Sequence, residues 1–166
     1  MRRRLGSVAI AMVCATLSGC ATASQVSQSS PSPVVSSELS CASLVAPSPL
    51  PVWAREGFSP PETAVPHVLG EKGTILGVVF GQPLRGPNVA GHGNKVLWVA
   101  KPMKGVGSAA SAALTIRASL NGSDTSVVRV LSGGPGPSLV DMPKPGCWTF
   151  NLTWSGHSDR LALRYQ

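Results

Sequence analysis

The chain has 166 residues, enough for one domain of ordinary size once a targeting segment is set aside. Hydrophobic residues make up 43% and charged residues 13%, which excludes wholesale disorder and argues against a coiled coil or a charge-laced helical bundle. With Gly 18 and Pro 15, about a fifth of the chain interrupts regular structure, so frequent turns are expected and long helices are not.

The first residues read as an export signal. Arg2, Arg3 and Arg4 form a basic start, and Leu5–Thr16 is an apolar stretch centred on Val8, Ile10, Met12 and Val13. Twelve residues at a helical rise span about 18 Å, far short of a bilayer core, so this is a signal segment and not a membrane span. Leu17-Ser18-Gly19-Cys20 follows. An apolar residue, two small residues and a cysteine at this point resemble the lipobox of bacterial lipoprotein precursors. The resemblance implies that diacylglycerol is attached to the Cys20 thiol and that residues 1–19 are then removed. Two acyl chains on one cysteine suffice for stable anchoring, where a single chain is marginal. A twin-arginine export route lacks the rest of its motif.

Removing residues 1–19 takes three cations and no acid, so the formal net charge falls from +7 to +4. The remaining Lys and Arg are scattered, without a basic run interleaved with aromatics, and nucleic-acid binding has no support. Cys14 leaves with the signal and Cys20 carries the lipid, which leaves Cys41 and Cys147. An even pair in an oxidising compartment defaults to a disulfide, with two buried free thiols as the alternative. Neither has a CxxC partner or a neighbouring His at ligand spacing, so no metal site is expected.

Along the mature chain, residues 20–40 hold eight Ser and two Pro and read as a lipidated, flexible tether. Pro47–Pro51 (PSPLP) is a stiffer entry, and the globular domain is placed at residues 41–166. There, alternation of period two dominates and, with β-rich runs, marks six or seven strands. They are Thr74–Phe80, Lys95–Ala100, Leu114–Leu120, Ser126–Leu131, a short edge at Ser138–Val140, Trp148–Trp154 and Arg160–Tyr165. Asn121–Asp124 turns the first hairpin and Ser155–Ser158 the second. Trp148, Phe150, Leu152 and Trp154 share one face, and Leu161, Leu163 and Tyr165 alternate in the next strand. About six to eight short strands with no amphipathic helix predict an all-β antiparallel sandwich.

Pro143-Lys144-Pro145-Gly146-Cys147-Trp148 resembles the PGCW entry to the penultimate strand of small exported bacterial proteins with an immunoglobulin-like sandwich. Pro51–Arg55 and Pro66–Glu71 are similar to recurring pieces of the same group. The resemblance implies an immunoglobulin-like domain and no particular activity. Adjacent strand residues face opposite ways, so Cys147 points away from the side that Trp148 takes. An inter-sheet pin of the antibody kind does not fit, and Cys147 is expected to tie the entry segment to the domain.

Catalytic patterns are absent. There is no G-x-S-x-G, and no Ser stands three residues before a Lys. Gly133–Ser138 is Gly-rich but leads into no helix, so it is no phosphate cradle. The seven acids lie in separate segments, and His67, His92 and His157 stand alone near loops. No catalytic residue, cofactor or metal is expected. The loop Gly81–Asn94 spans fourteen residues, long for a hairpin, and offers Arg85, Asn88, His92 and Asn94. If strands alternate in direction, it shares an end of the domain with Asn121–Asp124, and Arg85, His92 and Asn94 become candidates for a binding surface. The sequence therefore reads as a membrane-anchored extracytoplasmic lipoprotein. Its sandwich would bind an envelope protein or wall polymer, or serve as an envelope-structural module. The rival reading is an extracytoplasmic enzyme or metal-handling protein whose site is not visible in sequence. The anchor leaflet is the outer face of the plasma membrane, or the outer membrane where two membranes are present.

Overall fold

The structure is a computed structural model, and it describes residues 39–41, 44–58, 64–102 and 112–166. The signal segment, Cys20 and the tether up to residue 38 lie outside the described residues. Among the described residues nine strands form: β1 (Pro47–Pro49), β2 (Ala64–Leu69), β3 (Ile75–Val79), β4 (Lys95–Ala100), β5 (Leu114–Leu120), β6 (Ser126–Leu131), β7 (Pro137–Leu139), β8 (Gly146–Trp154) and β9 (His157–Tyr165). One sheet has the order β1-β2-β3-β4-β7 and the other β6-β5-β8-β9. Every strand pairing is antiparallel. The protein is an all-β sandwich.

The clean alternation of β8 sets the inner layer. Trp148, Phe150, Leu152 and Trp154 point inward with Ile116, Ala118, Leu161, Leu163 and Tyr165. Ile75, Val79, Val96 and Trp98 meet them from the facing sheet. Phe150 stands between Trp98 and Tyr165, with ring centroids 6.0 and 6.4 Å away. The polar atoms of Trp98, Trp148 and Tyr165 find acceptors, as buried Trp and Tyr require. Trp98 Nε1 donates to Ser138 Oγ at 3.0 Å, Trp148 Nε1 to the Lys144 carbonyl at 3.1 Å, and the Tyr165 hydroxyl to the Val140 carbonyl at 2.6 Å.

Two strands, β1 and β2, are not among those read from the sequence. β1 lies in the Pro-rich entry, and β2 contains Pro66, whose partner across the ladder is Pro47. Neither proline has an N–H to donate, which keeps this ladder short and hides it from pattern reading. The entry does more than lead in. All five residues of β3 are buried, because both of its faces are covered. Ile75 and Val79 face the second sheet, whereas Leu76 and Val78 face Leu50 and Ala54, with Trp53 and Phe58 alongside. A single 3-10 turn at Val52–Ala54 bends this strap over the sheet.

The last hairpin is tighter than its sequence implied. Trp154 pairs with His157 and Thr153 with Ser158. The turn is therefore Ser155-Gly156 alone, with φ of 43° and 76°. Two successive positive φ values make the mirror-image turn whose twist matches the flanking strands.

Candidate functional site

The loop 81–94 leaves β3 and returns into β4, and several contacts hold it to the end of the sandwich. Leu84 bridges to Tyr165, with backbone bonds from Gln166 N to the Leu84 carbonyl at 2.8 Å and from Gly86 N to the Gln166 carbonyl at 2.9 Å. Gln82 reaches the other way. Its Oε1 accepts from Val45 N at 2.6 Å and its Nε2 donates to the Val45 carbonyl at 2.8 Å, the double bond a backbone strand would make.

Asn94 is fully buried, at 0% exposure. Its Oδ1 accepts from Arg85 N, and its Nδ2 donates to the Arg85 carbonyl and to Asp141 Oδ1, at 2.8, 2.8 and 2.7 Å. It shapes the loop from inside and does not face solvent. The Arg85 side chain is thereby left outside, and the residue is exposed. His92 is half-buried, and its Nε2 is buried without a hydrogen-bond partner among the described residues. Asn88 lines an open groove of about 500 Å³ with Pro87, Val127, Arg129, Asp141 and Met142. Arg85, His92 and Asn94 thus belong to one loop but present different surfaces.

The β5–β6 turn comes to the same end. Asn121 N bonds to the Cys147 carbonyl at 2.9 Å, and Lys144 Nζ bonds to Thr125 Oγ1 at 3.2 Å. The entering chain is fastened here as well. Cys41 and Cys147 are joined by a disulfide, with Cα atoms 5.7 Å apart across a sequence separation of 106. Cys147 and Trp148 diverge as strand geometry demands: Trp148 is buried in the core, and the sulfur joins the entry segment. Asn121 Nδ2 donates to the Leu39 carbonyl at 3.1 Å while its Oδ1 accepts from Thr149 Oγ1 at 2.8 Å. From Cys41 the chain crosses this end to Gln82, then becomes the strap.

An exposed apolar row crosses three strands at this end. Phe80 follows β3, Lys95 opens β4 and Leu139 closes β7. Phe80 N bonds to the Lys95 carbonyl, and Lys95 pairs with Leu139. Lys95 Nζ stands 5.2 Å above the Phe80 ring.

Asp159 organises the opposite end, and sequence reading missed it. It is 3% exposed. Oδ1 accepts from the amides of Lys72 and Arg160 at 2.9 and 2.7 Å, and Oδ2 accepts from the amide and hydroxyl of Thr74 at 2.9 and 2.7 Å. Burial works against its charge, but these four donors outweigh it and hold the carboxyl below the usual range. Gly70 is required beside it, because a Cβ there would overlap the carboxylate. The available signal was phase. Asp159 shares the inward parity of Leu161, Leu163 and Tyr165 in β9. Nearby, Arg160 and Glu71 form a bidentate pair at 2.8 and 3.0 Å, which draws the Glu71 pKa down and the Arg160 pKa up.

Among the described residues no three His, Cys, Asp or Glu gather where they could hold a metal ion. No helix there is long and apolar enough to cross a membrane. No family model, curated protein or solved structure matches the chain.

Proposed function

We propose that the chain is an exported lipoprotein, fastened to a membrane through Cys20, whose sandwich works outside the cytoplasm as a binding or envelope-structural module. The observation that carries this reading is the Cys41–Cys147 disulfide. Such a bond persists in an oxidising compartment, and it lies downstream of a segment that resembles a lipobox. The loop end supplies the binding surface: Arg85 is exposed, and Asn94 holds its backbone in place.

The test is to express the precursor with its own signal in a bacterial host, fractionate the cells and measure intact mass. The expected product begins at Cys20, carries a diacylglyceryl group and sediments with membranes. Cys20→Ala loses the modification. Recovery of uncut, unmodified precursor from the cytosol overturns the reading. Cross-linking on intact membranes then addresses the partner, an envelope protein or wall polymer. Joint substitution of Arg85 and His92 by Ala is expected to cut its capture, and unchanged capture removes this loop from the site.

A further inference from the structure

We propose that the loop end of the sandwich is itself a membrane-contact surface. It sets Leu44, Phe80, Val89 and Leu139, ringed by Arg85, Lys95 and Lys144, against an anionic lipid bilayer. This rests on the reading of Cys20 as the lipid-bearing residue, and it names the partner of the loop end.

The apolar side chains are concentrated. Eight large hydrophobic residues are left exposed among the described residues, and four of them lie at this end: Leu44 at 58%, Phe80 at 45%, Val89 at 47% and Leu139 at 64%. Phe80 and Leu139 flank Lys95 in the row across β3, β4 and β7. The loop reaches the same row, because a Cβ on Gly93 would lie 3.6 Å from Leu139 Cδ2. Val89 opens the turn closed by the bond from His92 N to its carbonyl. Leu44 stands between the disulfide and the Gln82 clamp. Toward the far end lie two of this set, Leu69 beside the Glu71–Arg160 ion pair and Val130 near the close of β6. A grouped apolar surface marks a contact, where scattered ones need no explanation.

The charge fits a bilayer. Arg85, Lys95 and Lys144 are exposed around these residues. Among the described residues the side-chain carboxylates placed at this end are Asp141, bonded to Asn94, and Asp124, on the β5–β6 turn. Apolar groups that enter the headgroup layer and cations that meet lipid phosphates reinforce each other. Lys95 suits both, since its ammonium stands 5.2 Å above the Phe80 ring and its flexible stem lets that charge rise to a phosphate. A second copy fits less well. A twofold contact through this patch would bring its cations against their own equivalents.

Position supplies the third observation. Leu39 is pinned by Asn121 at this end, and Cys20 lies nineteen positions earlier. An anchor at Cys20 therefore connects to the domain through this end, and not through the Asp159 end.

The test uses the full lipidated protein in vesicles rich in phosphatidylglycerol, in vesicles of phosphatidylcholine alone, and in detergent micelles. Hydrogen exchange is followed at residues 80–95 and 137–140. The expected result is exchange slowed by about threefold or more in the phosphatidylglycerol vesicles only. The double variant Phe80→Ser, Leu139→Ser is expected to abolish that slowing while it stays vesicle-bound through its acyl chains. Both positions are solvent-facing, so an unchanged melting temperature verifies its fold. Equal exchange in all three settings, from protein that is lipidated and vesicle-bound, overturns the membrane contact and leaves the anchor reading intact. Slowing that grows with protein density at fixed lipid marks contact between copies and also overturns it. Absence of the lipid by mass overturns the anchor reading instead.

Discussion

At the scale of single residues, the strongest constraint is a carboxylate. Asp159 belongs to β9, yet three of its four hydrogen bonds go to the β2–β3 turn of the other sheet. It therefore ties the two layers together at one end, as Asn94 ties the loop at the other. Asp159→Asn preserves the shape but turns an acceptor oxygen into a donor that faces N–H or O–H groups. The expected cost is about 2–3 kcal/mol, read from urea unfolding at pH 7. The folded-state pKa of Asp159 is depressed, so its stabilisation is complete above the unfolded carboxyl value near 3.9 and is lost as pH falls through the lower folded value. The stability gap between wild type and Asp159→Asn should thus narrow in acid, below about pH 4. A gap that stays constant down to pH 2 would show that Asp159 is not charged in the native state. The Glu71–Arg160 pair beside it is solvent-exposed and adds little, since water screens such pairs.

At the scale of elements, the β8–β9 hairpin carries one local conflict. Its turn needs positive φ at both central positions, and Ser155 occupies the first of them at 43°. Asn adopts that region more readily than Ser does. Ser155→Asn is therefore expected to raise stability by about 0.5–1 kcal/mol, seen as a higher melting temperature with the hairpin register unchanged. A lower melting temperature would mean that the Ser155 side chain holds a contact worth more than the backbone relief. The same hairpin shows what was legible. Trp148, Phe150, Leu152 and Trp154 announced β8 because one face is buried and the other wet, so the pattern repeats every second residue. β3 has no such contrast. Its neighbours bury both faces, and the strap that covers Leu76 and Val78 comes from a Pro-rich segment with no period of its own. β2 was hidden for a related reason, as Pro66 interrupts its ladder and most of its residues are only half-buried. Asn94 was read as a surface candidate and Asn121 as a turn residue, and the fastening roles of both gave no signal. Their roles depend on side-chain amides that donate to remote segments, Asn94 to the Asp141 carboxylate and Asn121 to the Leu39 carbonyl. The loop 81–94 itself was legible by length and composition, but which of its side chains face outward was set by Asn94 folding in.

At the scale of the whole molecule, stability depends on how the entry segment is fastened. Residues 45–58 cover the outer face of β3, and contacts along the path hold them in place: the disulfide, the Gln82 clamp on Val45 and the small apolar layer of Leu50, Ala54, Leu76 and Val78. Of these the disulfide alone acts on the unfolded chain. Closing a loop of 106 residues removes chain entropy from the denatured state, which in the loop-closure treatment stabilises the fold by about 4–5 kcal/mol. That is a large share of the 5–15 kcal/mol typical of a domain. Cys41→Ser and Cys147→Ser should each unfold at clearly lower urea concentration than wild type, by an amount that accounts for about 4 kcal/mol. Reductant should bring wild type down to the level of the variants and leave the variants unmoved. The core beneath is independent of the bridge, because Trp98, Trp148, Phe150 and Tyr165 pack across the sheets without it. The variants are therefore expected to keep their β-rich circular dichroism and tryptophan emission at low denaturant, while proteolysis within residues 41–58 accelerates. Identical unfolding midpoints with and without reductant would show that the clamp and the apolar layer hold the strap unaided. In that case the disulfide would have no part in keeping the domain folded.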